Sequence, residues 1–343
     1  MDEFAIRPGH KFGCFCTKTR VHRDLTDPIK VSDELWFLFS PPFPLSSQWK
    51  EWLGRLTAEK FLESNVFIFA LMPSKSIAVL DGENKSLADA VTRLFYSLLM
   101  FGVARSWEGG LIFTGANVDG EHQIRSISPL LTHFDVANSL PKEVDRRAID
   151  DAVRLASVLK AIYGRERTYM RLRRGFSTYI EALREGYALS RLHQLARSLE
   201  AIAKPEIGKT RKQFIHRCKT FAGRSEEMER ILGEIYDLRS REEHLTSIDD
   251  VLGDCGSEDE RDRRICLRAL QIELIAEDAF LRIMTSADLT AFFENDDSVS
   301  MFWSRSDHER YGLWGDPLDV EAAIGERSGY YMRMCRGVTD QHE

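Results

Sequence analysis

Near residue 140 the apolar residues change period, so the chain has to fold as two differently built parts. Before that point they come in short runs: Glu34 to Ser40, Val66 to Met72, Ile77 to Leu80 and Leu111 to Thr114. Each run is bounded by Pro, Ser, Asn or Gly, the pattern of buried strands. Between them, Ser47 to Leu62 and Leu87 to Phe101 have helical spacing. In the second of these, Leu87, Val91, Leu94 and Leu98 share a face, Ser86 is placed to cap, Asp89 sits in the first turn and Gly102 can end the helix. Asn117-Val-Asp119-Gly120 is hairpin-turn chemistry. Residues 1–140 are expected to form an α+β domain.

Residues 141–286 are expected to be all helical. Ile149, Val153, Ala156, Leu159 and Tyr163 mark a first helix ending at Gly164. A second helical region runs from Leu172 to Ala203, with Gly175 and Gly186 as points where it bends or splits, and Lys204-Pro205 stops it. The third helix begins at Ser225, an N-cap followed by Glu226 and Glu227 in the first turn. The fourth, about Asp259 to Thr285, carries two apolar stripes, so it is either central to its bundle or shared with the N-terminal domain or a second subunit. Residues 287–343 hold Phe292, Phe293, Phe302, Trp303, Tyr311, Trp314, Tyr330 and Tyr331, an aromatic-rich extension expected to pack on the body. A base-stacking patch is its functional alternative.

With 343 residues, a formal net charge of −7 and no apolar run of membrane-span length, the sequence points to a cytoplasmic protein with no membrane contact. Its acidity argues against a general nucleic-acid coat and leaves room for a local basic site. The densest basic cluster is Arg165, Arg167, Arg171, Arg173 and Arg174, of which Arg171, Arg173 and Arg174 are the candidate RNA-binding residues. Six scattered cysteines lack zinc-site spacing, so reduced thiols and no metal are expected. No nucleotide-binding loop is present, and no cofactor is expected.

In the third helix Met228, Ile231, Leu232, Ile235 and Leu238 form one stripe, and Arg239 falls within it. A guanidinium on an apolar face must be paired, reach solvent at the helix end, or serve an anionic ligand. Five residues later stands His244. An Arg followed by four to six residues and then a His proves nothing by itself, since Arg211/His216 and Arg336/His342 fit the same pattern; only Arg239/His244 closes an amphipathic helix.

The segment Ile235-Tyr-Asp-Leu-Arg-Ser-Arg-Glu-Glu-His244 resembles the signature of the HEPN superfamily, four-helix bundles of which many are metal-independent ribonucleases. Leu195-Ala-Arg-Ser-Leu-Glu-Ala-Ile-Ala-Lys-Pro-Glu206 resembles the second helix and following loop of its Apea-like branch. The resemblance spans roughly residues 150–285 and implies an HEPN-like four-helix bundle. One departure concerns the position after the motif Arg, often Asn, Asp or His in active members and here Ser240.

The resemblance implies RNA as substrate and cleavage by attack of the 2′-OH on the adjacent phosphorus, leaving 2′,3′-cyclic phosphate and 5′-OH ends. Arg239 would stabilise the phosphorane and His244 would act as general acid or base, or position the 2′-OH. Glu200 would orient Arg239, with an ordinary ion pair as the alternative; Ser240 would donate to the phosphate or stand idle. In a regular helix Arg239 and His244 lie about 140° apart around the axis. They converge only if the helix loosens or a second copy supplies half the site. HEPN nucleases commonly dimerise so that two such motifs face one cleft, and the resemblance therefore implies a homodimer with a composite site and an interface along the third and fourth helices. The role implied is a toxin or abortive-infection effector whose N-terminal domain binds a trigger or antitoxin. A catalytically silent HEPN module used for binding or dimerisation is the alternative.

Overall fold

The computed structural model describes residues 4–104, 109–130, 142–165, 167–253 and 255–326. Two compact units part within one helix, between Ser157 and Val158. The expected boundary at Leu140-Pro141 lies outside the described residues, as do Tyr330, Tyr331, Cys335 and the Arg336/His342 pair.

The first unit is a six-stranded antiparallel sheet of order β2-β3-β4-β1-β5-β6. The strands are β1 (His10–Thr17), β2 (Ile29–Ser32), β3 (Leu35–Leu38), β4 (Val66–Pro73), β5 (Gly110–Val118) and β6 (Glu121–Leu130). Side chains alternate between its faces. Phe15, Phe37, Val66 and Ile68 pack with Leu87, Val91, Leu94 and Leu98 of α3 (Gly82–Met100), and with Ile149 and Ala152 of α4 (Arg146–Tyr163). Phe12, Cys14, Cys16, Phe67 and Phe69 face the other way, toward Ala58 and Phe61 of α2 (Arg55–Glu63). Burial on both faces makes β4 a continuous apolar run. Gly13 is required where α3 crosses, since a Cβ there would lie 2.8–2.9 Å from Leu87.

The expected hairpin forms: Val118 pairs with Glu121 across Asp119 and Gly120, both at positive φ, the geometry of a two-residue loop. Three expectations in this unit need correction. Ile77 to Leu80 is a turn, not a strand, with Val79 and Leu80 exposed. Ser47 to Leu62 is two helices, α1 (Ser47–Leu53) and α2, broken at Gly54 with φ +76°. The cap of α3 is Asp81, whose side chain accepts from the Glu83 N–H, rather than Ser86.

The second unit is helical: the end of α4, then α5 (Met170–Ala182), α6 (Ala188–Ala203), α7 (Thr210–Ala222), α8 (Glu226–Glu243), α9 (Asp249–Leu252) and α10 (Glu258–Thr285). The long second helical region is split into α5 and α6 by the segment containing Gly186, and α6 ends on Lys204 in the left-handed region. Helix α7, which the hydropathy pattern leaves unassigned, packs Phe214, Ile215, Cys218 and Phe221 inward. The first stripe of α10 is buried, while in the second Leu270 and Leu274 are buried and Leu267 and Leu281 are half-buried. Buried Arg191 and Glu273 tie α6 to α10 at 2.6 Å. The extension is not aperiodic: residues 287–326 form α11 (Ala287–Phe292), α12 (Asp296–Ser304), α13 (Asp307–Trp314) and α14 (Val320–Glu326). Phe293, Phe302, Trp303 and Trp314 are buried, and the Trp303 indole donates to the Ile202 carbonyl at 2.9 Å. Among the described residues no helix is long and apolar enough to cross a membrane.

Candidate functional site

Helix α8 carries the site's two central residues. It starts as the sequence requires, with the Ser225 hydroxyl accepting from the Met228 N–H at 3.0 Å and glutamates in the first turn. Met228, Ile231, Leu232, Ile235 and Leu238 are buried, which fixes the rotation of the helix and brings Arg239 to the margin of the core. The helix stops at Glu243, so His244 is the C-cap residue, with φ −95° and ψ 4°, and is exposed.

Arg239 and His244 both line one cleft of about 840 Å³. Glu200 and Ser240 line it as well, and so do Arg171, Arg173 and Arg174. All seven residues singled out from the sequence therefore border the same cavity, built from α5, α6, α8 and the residues after α6. Both motif residues border it from a single chain.

Arg239 is mostly buried, its side chain 13% exposed beside Glu200 at 18%. Its Nη2 donates to Glu200 Oε2 at 2.9 Å, and its Nη1 donates to Glu243. Its Nε is buried and has no hydrogen-bond partner among the described residues. The guanidinium also lies 5.8 Å from the ring centre of Tyr236, which borders the cleft. Burial pushes the Glu200 carboxyl above its usual range, against the pull of the Arg239 charge and hydrogen bond and of Arg197. Of the three fates open to a guanidinium on an apolar face, pairing is the one observed; an unused donor remains.

The basic cluster divides. Arg171 is committed to Asp296, with Nε to Oδ1 at 2.6 Å and Nη2 to Oδ2 at 3.4 Å. The side chains of Arg173 and Arg174 make no hydrogen bond or salt bridge among the described residues. Arg197, which no sequence motif singles out, borders the same cleft and is exposed. Its signal was local: three residues before Glu200 on one helix, it shares that residue's face. Glu243, four residues after Arg239, is the other omission.

Among the described residues no group of three or more His, Cys, Asp or Glu is gathered to hold a metal ion. Cys14, Cys16, Cys218, Cys255 and Cys266 are free thiols. Burial pushes the Cys16 thiol up to about 12, and Cys14 and Cys218 also well above the ordinary thiol value. No family model matches this chain, and no match is found among curated proteins or solved structures.

Proposed function

We propose that this protein is a metal-independent endoribonuclease of HEPN type, with its second unit as the HEPN-like bundle and the cleft between α5, α6 and α8 as the RNA site. The observation that carries the reading is that Arg239 and His244 border one open cavity together with a concentration of arginines. Attack of a 2′-OH on the neighbouring phosphorus needs a proton acceptor and then a donor to the leaving 5′ oxygen. An exposed imidazole at a helix end can serve either task. The phosphorane gathers negative charge on its equatorial oxygens, and a guanidinium held in place by carboxylates meets that charge without reorganising. In this role Glu200 orients Arg239, and Ser240 stands one residue on in the same cleft. A toxin or abortive-infection effector, working in the cytoplasm under the control of a trigger or antitoxin bound by the first unit, is the corresponding biological proposal. A homodimer in which two motifs share one cleft is a second arrangement of the same chemistry.

A silent binding module is the competing reading, favoured by one feature: Glu200 and Glu243 both occupy the guanidinium that a phosphate would need. Incubation of the purified protein with a mixed RNA pool in EDTA, beside His244→Ala and Arg239→Ala, separates the two. The nuclease reading expects cutting by wild type alone, with 2′,3′-cyclic phosphate ends. If the protein binds RNA but the pool stays intact, while wild-type expression leaves growth unchanged, the silent module is the correct reading.

A further inference from the structure

Two clefts flank α8, and they differ in charge. The one bordered by α7, α9 and α10 is lined by four arginines against five carboxylates. Its cations are all engaged: Arg211 with Asp237 at 2.7 Å, Arg264 with Glu234 at 2.7 Å, Arg230 with Glu227 at 2.6 Å and Arg241 with Asp250 at 3.5 Å. It has no surplus charge to offer an anion. The cleft that holds Arg239 is lined by five arginines against two glutamates, on a chain whose net charge is −7. Two of the five are paired, Arg239 and Arg171. Arg173, Arg174 and Arg197 are not, among the described residues.

A glycine brings these cations together. At Gly175 a Cβ would lie 2.9 Å from the Ala201 Cβ and 3.0 Å from the Ser198 carbonyl oxygen, so α5 and α6 touch backbone to backbone there. Arg174 precedes Gly175 on one helix and Arg197 precedes Ser198 on the other, and both are exposed. Five arginines against Glu181 and Glu200 leave surplus positive charge along this cleft, and an anion seated between Arg174 and Arg197 offsets it.

We infer that Arg197 and Arg174 form a second phosphate subsite, which holds a backbone phosphate of single-stranded RNA adjacent to the phosphate at Arg239 and His244. The inference rests on the ribonuclease reading of those two residues and adds how the strand is held in register. The cavity is continuous from one pair to the other, so a polyanion with repeating phosphates engages both at once, which a lone phosphate cannot.

The test is the salt dependence of binding, measured with full-length protein carrying His244→Ala to stop cleavage and a short fluorescein-labelled single-stranded RNA of mixed sequence. Removing one phosphate-binding cation flattens the plot of log affinity against log salt by about 0.7. Arg197→Gln and Arg174→Gln are each expected to flatten it by that amount. Arg197→Lys, which keeps the charge, is expected to retain the slope, and so is Arg241→Gln in the neighbouring cleft. If Arg197→Gln keeps the full slope while RNA still binds, the subsite is wrong and the RNA site stands. If the His244→Ala parent shows no salt-dependent binding of RNA, both the subsite and the RNA reading fall.

Discussion

The guanidinium of Arg239 carries five donors in a rigid fork, and its use of them is what separates it from a generic cation. It reaches Glu200 and Glu243 at once and still leaves Nε unpaired among the described residues. Arg239→Lys keeps the charge and loses the fork. Single-turnover cleavage is expected to fall about 10²–10³-fold, the usual cost of one misplaced donor at a developing oxyanion. A lysine variant that cuts at the wild-type rate would show that charge alone suffices. Glu200 gives a prediction of a different kind, because burial raises its carboxyl despite the arginine. Between the ordinary glutamate value of about 4.3 and the higher folded value, the native protein holds a proton that the unfolded chain has released. Stability therefore falls as pH rises through that window, and the contribution is lost above it. Glu200→Gln cannot ionise, so its urea midpoint is expected to gain on wild type as pH rises above the ordinary glutamate value. If it loses ground instead, the ion pair with Arg239 outweighs the burial.

At the scale of elements, sequence patterning was legible wherever burial followed one period. The stripe of α8, its Ser225 cap, the split near Gly186 and the hairpin at Asp119-Gly120 could all be read because each is a local decision of the chain. Strand β1 could not. Its run is broken by Gly13 and by Lys11, a fully buried lysine whose charge is satisfied by Asp81 and Glu83, some seventy residues away. Helix α7 is rich in cations, and its buried stripe of Phe214, Ile215, Cys218, Phe221 and Ala222 is short and interrupted by them. In the site, Arg239 and His244 were visible as a motif and Arg197 shares the face of Glu200 on one helix, whereas the close approach of α5 to α6 was not visible. That approach can be tested at Gly175. Alanine improves helix propensity by about 1 kcal/mol. Against this, its Cβ would meet the Ala201 Cβ at 2.9 Å and the Ser198 carbonyl at 3.0 Å, neither of which can swing aside. Overpacking of this kind costs roughly 1–3 kcal/mol, so Gly175→Ala is expected to be net destabilised in chemical denaturation. A more stable variant would mean that α5 moves freely on α6.

At the scale of the molecule, what matters is how many chains make one site. In a regular helix Arg239 and His244 point about 140° apart, and that regularity, beside the HEPN resemblance, is what calls for a second subunit. The regularity fails at the end of α8. The helix stops at Glu243, His244 adopts cap geometry, and both residues border the same cavity of one chain. Helix α10 keeps Leu267 and Leu281 of its second stripe half-buried, so the count of chains is decided by the site itself. Mixing two inactive proteins tests the point directly. Arg239→Ala and His244→Ala each lack one half of the pair. In a dimer whose sites take Arg239 from one subunit and His244 from the other, random exchange restores one intact site in half of the dimers, so about a quarter of the wild-type sites return by the arithmetic of an isologous pair. In a chain that builds its own site, every cleft in the mixture lacks either the arginine or the histidine. The expected result is therefore silence after denaturation and joint refolding, with wild type taken through the same cycle to show that activity survives it. Recovery near a quarter would place the site between subunits and make the stopping of α8 at Glu243 incidental to the chemistry.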